Sequence, residues 1–300
     1  MRAVASILNG IWAMHKDSAQ PFVALAGDVL ANPMRQTIPI EQREAEYAIP
    51  HSAAGTYYIS EYGEANPPEN APKGSIAIIG MSGAVTKYDQ SSYGPAGTIT
   101  KNNLIQRALA NPNVSALILM VDSPGGEAGA GERIAQTIRA SEKPVYALVD
   151  GLAASAMYEI VAAVDKIFAV SEHSMAGSIG TFITIADYSQ YFERIGIKVQ
   201  ELYAEESTEK NAEVREALKG KPEKLQAFVN AVNETFLTNV RNDRGNRIVD
   251  DAAYSGKIYR AKDAISAGLI DGIATLDQVV GMLEAEINIS SSINQITYIV

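Results

Sequence analysis

Two short segments of the chain combine small residues with groups suited to acyl chemistry. The first is Asp122-Ser123-Pro124-Gly125-Gly126, which directly follows the apolar run 116–121 and precedes a helix-forming stretch. Paired glycines at a strand end let the backbone turn sharply and leave main-chain N–H groups uncovered, which is how a main-chain oxyanion hole is built. Gly125 and Gly126 are therefore candidate oxyanion donors, with a plain tight turn as the other reading of the same loop. Spacing excludes a nucleotide-binding loop. No Gly-Lys-Ser/Thr follows, and counting on from Gly129-Ala130-Gly131 puts Ile134 where a dinucleotide fingerprint needs its third glycine.

The second segment is Asp150-Gly151-Leu152-Ala153-Ala154-Ser155-Ala156-Met157-Tyr158, again between an apolar strand and a helix. Small residues on both sides leave the Ser155 hydroxyl accessible at a helix start, where the positive end of the helix favours developing negative charge. Ser155 is the candidate nucleophile. Serine is also a common helix cap, and the segment alone is open to that reading.

The elements that position these loops follow from periodicity. Beyond residue 73, short apolar runs at 75–79, 114–121, 144–149 and 166–170 read as strands. Helix-length segments alternate with them at 101–110, 130–140 and 155–164, so the chain reads as α/β. A further strand is expected at 198–203, a long charged helix at 222–244, and short helices at 261–267 and 276–285. An unbroken apolar strand such as 116–121 is expected where a parallel sheet is covered on both faces.

The stretch 35–73 is rich in Pro, Glu, Gln, Ser and Gly, with 66–72 its most linker-like part, which sets a boundary near residue 73. The apolar stretch 3–14 follows Arg2, but Asn9 and Gly10 interrupt it and no small-x-small cleavage site follows. It reads as an amphipathic helix rather than a signal peptide. The expected organisation is an N-terminal helical extension and linker over 1–72, one α/β domain over 73–285, and a C-terminal tail over 286–300.

Composition removes several function classes. With 25 basic and 35 acidic side chains the net charge is −10, which repels a phosphate backbone and argues against nucleic acid as a partner. The absence of cysteine excludes a disulfide framework, a thiolate metal site and a Cys nucleophile. Histidine occurs only as His15, His51 and His173, which argues against a multi-histidine metal centre and leaves few partners for a Ser-His-Asp site. Apolar residues make up 47% of the chain, enough for a packed core, yet no apolar run approaches the roughly 20 residues needed to cross a bilayer.

Taken together, Asp122-Ser-Pro-Gly-Gly126, Ala153-Ala-Ser-Ala-Met-Tyr158, Asp165-Lys-Ile-Phe-Ala169 and Gly177-Ser-Ile-Gly180 resemble the signal peptide peptidase A family of serine-lysine peptidases. Its tailed-phage members, the protein C type head-maturation peptidases, are especially similar. The resemblance covers about residues 73–280, including Gly256-Lys-Ile-Tyr-Arg260 and Ala264-Ile-Ser-Ala-Gly-Leu-Ile-Asp-Gly272, with weaker likeness at Ile11-Trp12-Ala13-Met14. It implies a crotonase/Clp-protease-like fold of stacked ββα units, a Ser nucleophile with a Lys general base, and no cofactor or metal. It also implies assembly into a homo-oligomeric ring. The substrate would be a protein or peptide, for the phage members scaffold and capsid proteins. Cellular members usually carry an N-terminal membrane segment; none is seen in this sequence, so a soluble substrate is expected, in the cytoplasm or within a phage procapsid.

By family position the nucleophile is Ser155 and the oxyanion element lies at Gly125 and Gly126. The base is expected some 50 to 60 residues later, and Lys210 lies 55 residues after Ser155. The surrounding Ala204-Glu-Glu-Ser-Thr-Glu-Lys-Asn211 departs from the usual Gly-Lys form of this segment, and Lys198, Lys219 and Lys221 are the other lysines in range. A lysine base near neutral pH must fall from about 10.4 to about 7 or 8, roughly 4 kcal/mol against its charged form, normally by burial. Glu205, Glu206, Glu209 and Glu213 must then point outward, and Ser207 or Thr208 can orient the ammonium.

His173 follows Ser155 by 18 residues, and the related Clp proteolytic subunit uses a His, but Glu172-His173-Ser174 reads as a polar turn. Asp122 and Asp165 read as turn or helix-end residues. The competing function is a crotonase-type acyl-thioester enzyme or a catalytically inactive structural homologue. An acyl-thioester enzyme gains nothing from a serine in the Ala154-Ser155-Ala156 setting.

Overall fold

The computed structural model of the 300-residue chain describes residues 12–14, 55–60, 65–89 and 95–297. Its first half comprises β1 (Trp12–Met14), β2 (Thr56–Ile59), β3 (Ser75–Ser82), α1 (Thr98–Ala110), β4 (Val114–Ser123), β5 (Gly125–Glu127), α2 (Glu132–Arg139), β6 (Val145–Ala154) and α3 (Ala156–Ala162). Then come β7 (Lys166–Ala169), β8 (Met175–Gly177), α4 (Ser189–Arg194), α5 (Ala212–Leu218), α6 (Glu223–Arg244), β9 (Ile258–Arg260), α7 (Ala261–Ser266), β10 (Gly272–Ile273) and α8 (Leu276–Thr297). No helix among the described residues is long and apolar enough to cross a membrane.

The apolar runs form strands because both of their faces are covered. Six strands pair in parallel in the spatial order β10-β7-β6-β4-β3-β2. Leu117 and Leu119 of β4 face one side with Ile79, Ala147 and Val149, packed against α1, α2, α3 and α6. Ile118 faces the other side with Ile78, Tyr146 and Leu148, under Val279, Val280 and Leu283 of α8. Each fully buried Leu or Ile contributes roughly 1.5–3 kcal/mol. An alternating apolar and polar strand would strand a polar side chain in one of these two layers.

The repeating unit is ββα. β4 is followed by β5 and α2; β3 is followed by a bridge from Val85 to Gly126 and then α1. In β6 one bent strand does both jobs, pairing β7 with its first half and β8 with its second before entering α3. These are the stacked units of the crotonase/Clp-protease-like fold expected from the motifs. The far end of α6 is tied down by Arg244, whose buried guanidinium donates to Gly268 O at 2.9 Å and to Asp271 at 3.2 Å.

Several elements differ from the sequence reading. The strand expected at 198–203 does not form: no sheet edge takes up this segment, and Leu202 is 90% exposed. α8 continues past residue 285 because Ile287 still packs on the sheet and Glu286 accepts a 2.5 Å hydrogen bond from the Tyr146 hydroxyl. Residues 56–59, placed within the N-terminal extension, form β2 and pair in parallel with β3. The helix expected over 3–14 and the first part of the linker lie outside the described residues, except that 12–14 are the strand β1.

Candidate active site

The two chemically suggestive loops emerge side by side. β4 and β6 run in register through Val121 and Val149, shift, and pair again at Ser123 and Ala153, two residues short of Gly125 and Ser155 respectively. The shift is made by Gly151, whose φ is 116° and whose absent Cβ would lie 2.5 Å from Asp122 Oδ1. That carboxylate accepts the Leu152 N–H at 3.1 Å. Burial pushes the Asp122 carboxyl up, partly opposed by this hydrogen bond. Asp122 is thus a brace for the bend, as Asp165 is for the start of β6, where it accepts the Val145 N–H at 2.8 Å.

Ser155 stands at this corner in a strained conformation. Its φ is 57° and ψ −123°, a region that a side chain makes costly by about 1–3 kcal/mol. Its N–H donates to Gly177 O at 2.8 Å and its carbonyl accepts the Glu159 N–H at 3.0 Å. Its Oγ is buried, makes no capping bond and has no hydrogen-bond partner. The capping reading therefore fails, and the hydroxyl is enclosed rather than accessible as the flanking alanines suggested. An unsatisfied buried hydroxyl costs a further 1–3 kcal/mol or about that. Both penalties fall on one residue at a sharp strand-to-helix turn, the arrangement that presents a nucleophilic serine in other α/β enzymes.

A second strained serine adjoins it. Ser178 has φ 55°, is buried, and donates its N–H to Lys257 O at 2.8 Å, one residue from the carbonyl that holds Ser155. The motif Gly177-Ser-Ile-Gly180 contained it, but nothing in the residue types marked Ser178 for a role.

The glycine loop closes the same corner. Gly125 has φ 91°, its N–H is not uncovered as the sequence suggested but donates to Ser123 Oγ at 3.2 Å, and its carbonyl accepts the Val85 N–H at 2.9 Å. A Cβ on Gly126 would lie 2.0 Å from Val85 O, so only glycine fits. The outer edge of β5 pairs antiparallel with β1, Met14 opposite Gly125 and Ala13 opposite Gly126. Gly125, Gly126 and Ser155 are thus brought to one corner.

The proposed base is not in contact with them. Lys210 is exposed in the turn before α5, its N–H donating to Ser207 O at 3.2 Å, while Ser155 Oγ has no partner at all. Of its acidic neighbours, Glu205 and Glu206 are exposed, Glu209 pairs with Lys224 at 2.9 Å, and Glu213 is half-buried. Arg215 holds the segment by donating to Thr208 O at 2.7 Å and stacking 4.4 Å from the Tyr203 ring. Lys198, Lys219 and Lys221 are exposed as well. Lys257, just before β9 and bonded through its carbonyl to the Ser178 N–H, has its ammonium over the Tyr259 ring at 4.3 Å. His173 is exposed in the turn between β7 and β8 and does not reach Ser155. Among the described residues no group of three His, Asp or Glu side chains is placed to hold a metal.

Comparison with known proteins gives the family of the chain. The Methanocaldococcus jannaschii protein MJ0651, named as a candidate protease, is 32% identical over 192 residues, covering 63% of this chain and 61% of that one. Capsid assembly protease C of Escherichia phage lambda is 25% identical over 216 residues, 70% of this chain and 49% of the phage protein. The chain thus spans less than two thirds of either relative. A membrane-bound stomatin-specific protease of known structure covers 70% of the chain, and the chain 84% of it, at 16% identity and a TM-score of 0.45. Residues 137–290, more than half of the chain, match the profile of Peptidase family S49, and the chain belongs to that family.

Proposed function

We propose that the chain is a serine endopeptidase in which Ser155 is the nucleophile, the main chain at Gly125 and Gly126 receives the oxyanion, and Lys210 is the general base. The observation that carries this reading is the strained, buried and unpartnered Ser155 hydroxyl beside a glycine strand. As Oγ attacks the scissile carbonyl its proton passes to the neutral lysine amine, and the carbonyl oxygen becomes an anion held by main-chain N–H groups. The ammonium then gives that proton to the leaving amine. Water hydrolyses the resulting ester by the same route and restores the serine.

A peptide substrate is favoured by the edge of β5, which takes an extended segment of the chain itself, β1, opposite Gly125 and Gly126. Peptides commonly bind by adding a strand to such an edge. An acyl-thioester substrate has no backbone to add, and its turnover needs no strained serine.

Lys210 requires a change of surroundings. The segment before it exposes Ile185, Ile195, Ile197, Val199 and Leu202, an apolar surface that a second copy of the chain would cover on forming a ring. Burial in that interface would lower the affinity of the lysine for its proton. Similarity to the lambda protease supports capsid and scaffold proteins as substrates, with the enzyme working in the cytoplasm or inside a procapsid. The test is a fluorophosphonate probe followed by mass spectrometry. Labelling of Ser155 in the wild type supports the peptidase; absence of label favours the inactive or acyl-thioester alternative.

A further inference from the structure

Behind the nucleophile, where α3 faces α2 and α6, three carboxylates converge. Glu159 lies one turn after Ser155 and is only 4% exposed. Its Oε1 accepts a hydrogen bond from Asn239 Nδ2 at 2.9 Å, and the same amide donates to Glu132 Oε2 at 2.8 Å. Arg139 in turn bridges Glu132 at 3.1 Å and Asp243 at 2.7 Å. Thus α2 presents Glu132 and Arg139 to Glu159, and α6 presents Asn239 and Asp243. A cavity of about 350 Å³ beside the cluster is lined further by Thr181, Val232 and Phe236 and adds no charge.

We propose that Glu159 is a positioning residue for Ser155: its neutral carboxyl packs α3 against α2 and α6, and its ionisation, by setting a buried charge opposite Glu132 and Asp243, loosens that packing and the strained turn presenting Ser155. The inference rests on Ser155 being the nucleophile. The connection is short, because the Glu159 N–H closes the first helical turn on Ser155 O at 3.0 Å. An acidic residue in a first turn is ordinarily favoured in its charged form by only about 0.3–1 kcal/mol. Stripping water from a carboxylate costs several kcal/mol, so burial wins. Burial pushes the Glu159 carboxyl up to about 7; the Asn239 hydrogen bond and the Arg139 charge oppose this, and the Glu132 and Asp243 charges add to it.

Because the folded value lies above the ordinary value of 4.5, the stabilisation is complete below pH 4.5 and is lost as pH rises through about 7. Above that, Glu159 carries a buried charge facing Glu132 and Asp243.

The experiment is the rate of fluorophosphonate labelling of Ser155 in the full chain between pH 5 and 9. A lysine base gives a rate that rises with pH; Glu159 adds a falling limb near neutrality. One pH unit above its midpoint about one tenth of Glu159 is neutral, so Glu159→Gln should remove the limb and label about tenfold faster than wild type one unit above neutrality, with equal rates near pH 5. Two further variants give opposite signs. Glu132→Gln removes a like charge and moves the limb to lower pH, whereas Arg139→Gln removes a favourable one and moves it to higher pH. A purely structural role would not shift a limb in opposite directions, and this pair decides the matter if Glu159→Gln does not fold. A limb that persists in Glu159→Gln, or shifts of the same sign in the pair, overturns the proposal while leaving Ser155 in place. No label on Ser155 in the wild type overturns both.

Discussion

The corner around Ser155 and the segment that carries Lys210 are built by opposite means. At the corner every neighbour is fixed: Ala153, Ala154, Ala156 and Tyr158 are buried, β5 and β8 flank the turn, and a φ of 57° is held in place. Along 182–211 the backbone makes few long-range bonds and apolar side chains face outward, Leu202 at 90% exposure. A strained nucleophile persists only where its surroundings over-determine it, whereas a lysine base needs an environment that removes water. On the proposed reading, one chain supplies the first condition and a second copy would supply the second.

The largest effect expected from this contrast is on turnover. Ser155→Ala should abolish hydrolysis of a protein substrate, since nucleophile and base act as a unit worth several orders of magnitude. It should not destabilise the chain, because the hydroxyl it removes bonds to nothing. Ser155→Gly should be more stable than wild type by about 1–3 kcal/mol, relieving the positive φ, and melt roughly 2–4 °C higher per kcal/mol. A variant that is inactive and less stable would mean that the corner is not strained in the way described.

Lys210→Ala should lose as much activity as Ser155→Ala, and His173→Ala should keep most of it. The reverse result would replace the Ser-Lys reading by a Clp-like triad. Retained activity in both, and in Lys198, Lys219 and Lys221 variants, would leave no base for the mechanism.

A smaller loss is expected from the surface itself. Replacing Val199 and Leu202 by Asp should shift the protein to a smaller species in sedimentation and lower activity by about tenfold or more, since exposed apolar residues of this kind mark an interface. Full activity in a protein that sediments as a monomer would erase the contrast between the two regions.

The same contrast governs what could be read from the sequence. The sheet was legible because 116–121 and 144–149 are apolar on both faces, and the glycine loop because no other residue fits at Gly126. Ser155 was singled out by its neighbours' size, but its enclosure and its strain were not legible: both are properties of the packed turn, and nothing in Ala154-Ser155-Ala156 encodes them. Ser178 was hidden for the same reason. Glu159 looked like an ordinary acidic residue in a first turn; only the approach of α6, 80 residues away at Asn239, makes it a buried carboxyl. The segment 198–203 has the composition of a strand, yet strand formation needs an edge to pair with, and the composition of the segment says nothing of that.

The smallest effect concerns β1. Its three residues hold the outer edge of β5, the edge at which, on the proposed reading, a peptide substrate would pair. A tethered strand competes at an effective concentration of the order of mM for a short flexible connection, falling as the connection lengthens. Three residue pairs contribute little, so the competition is weak and a good substrate displaces β1. Deleting residues 1–14 should therefore lower KM by a few-fold and leave kcat unchanged, because the edge is freed while the reacting groups stay where they are. Labelling of Ser155 by a small fluorophosphonate, which needs no strand, should change less than KM does. A deletion that raises KM would show that β1 supports the substrate strand rather than occupying its place. A loss of kcat together with a lower melting temperature would assign β1 to the packing of the glycine loop itself.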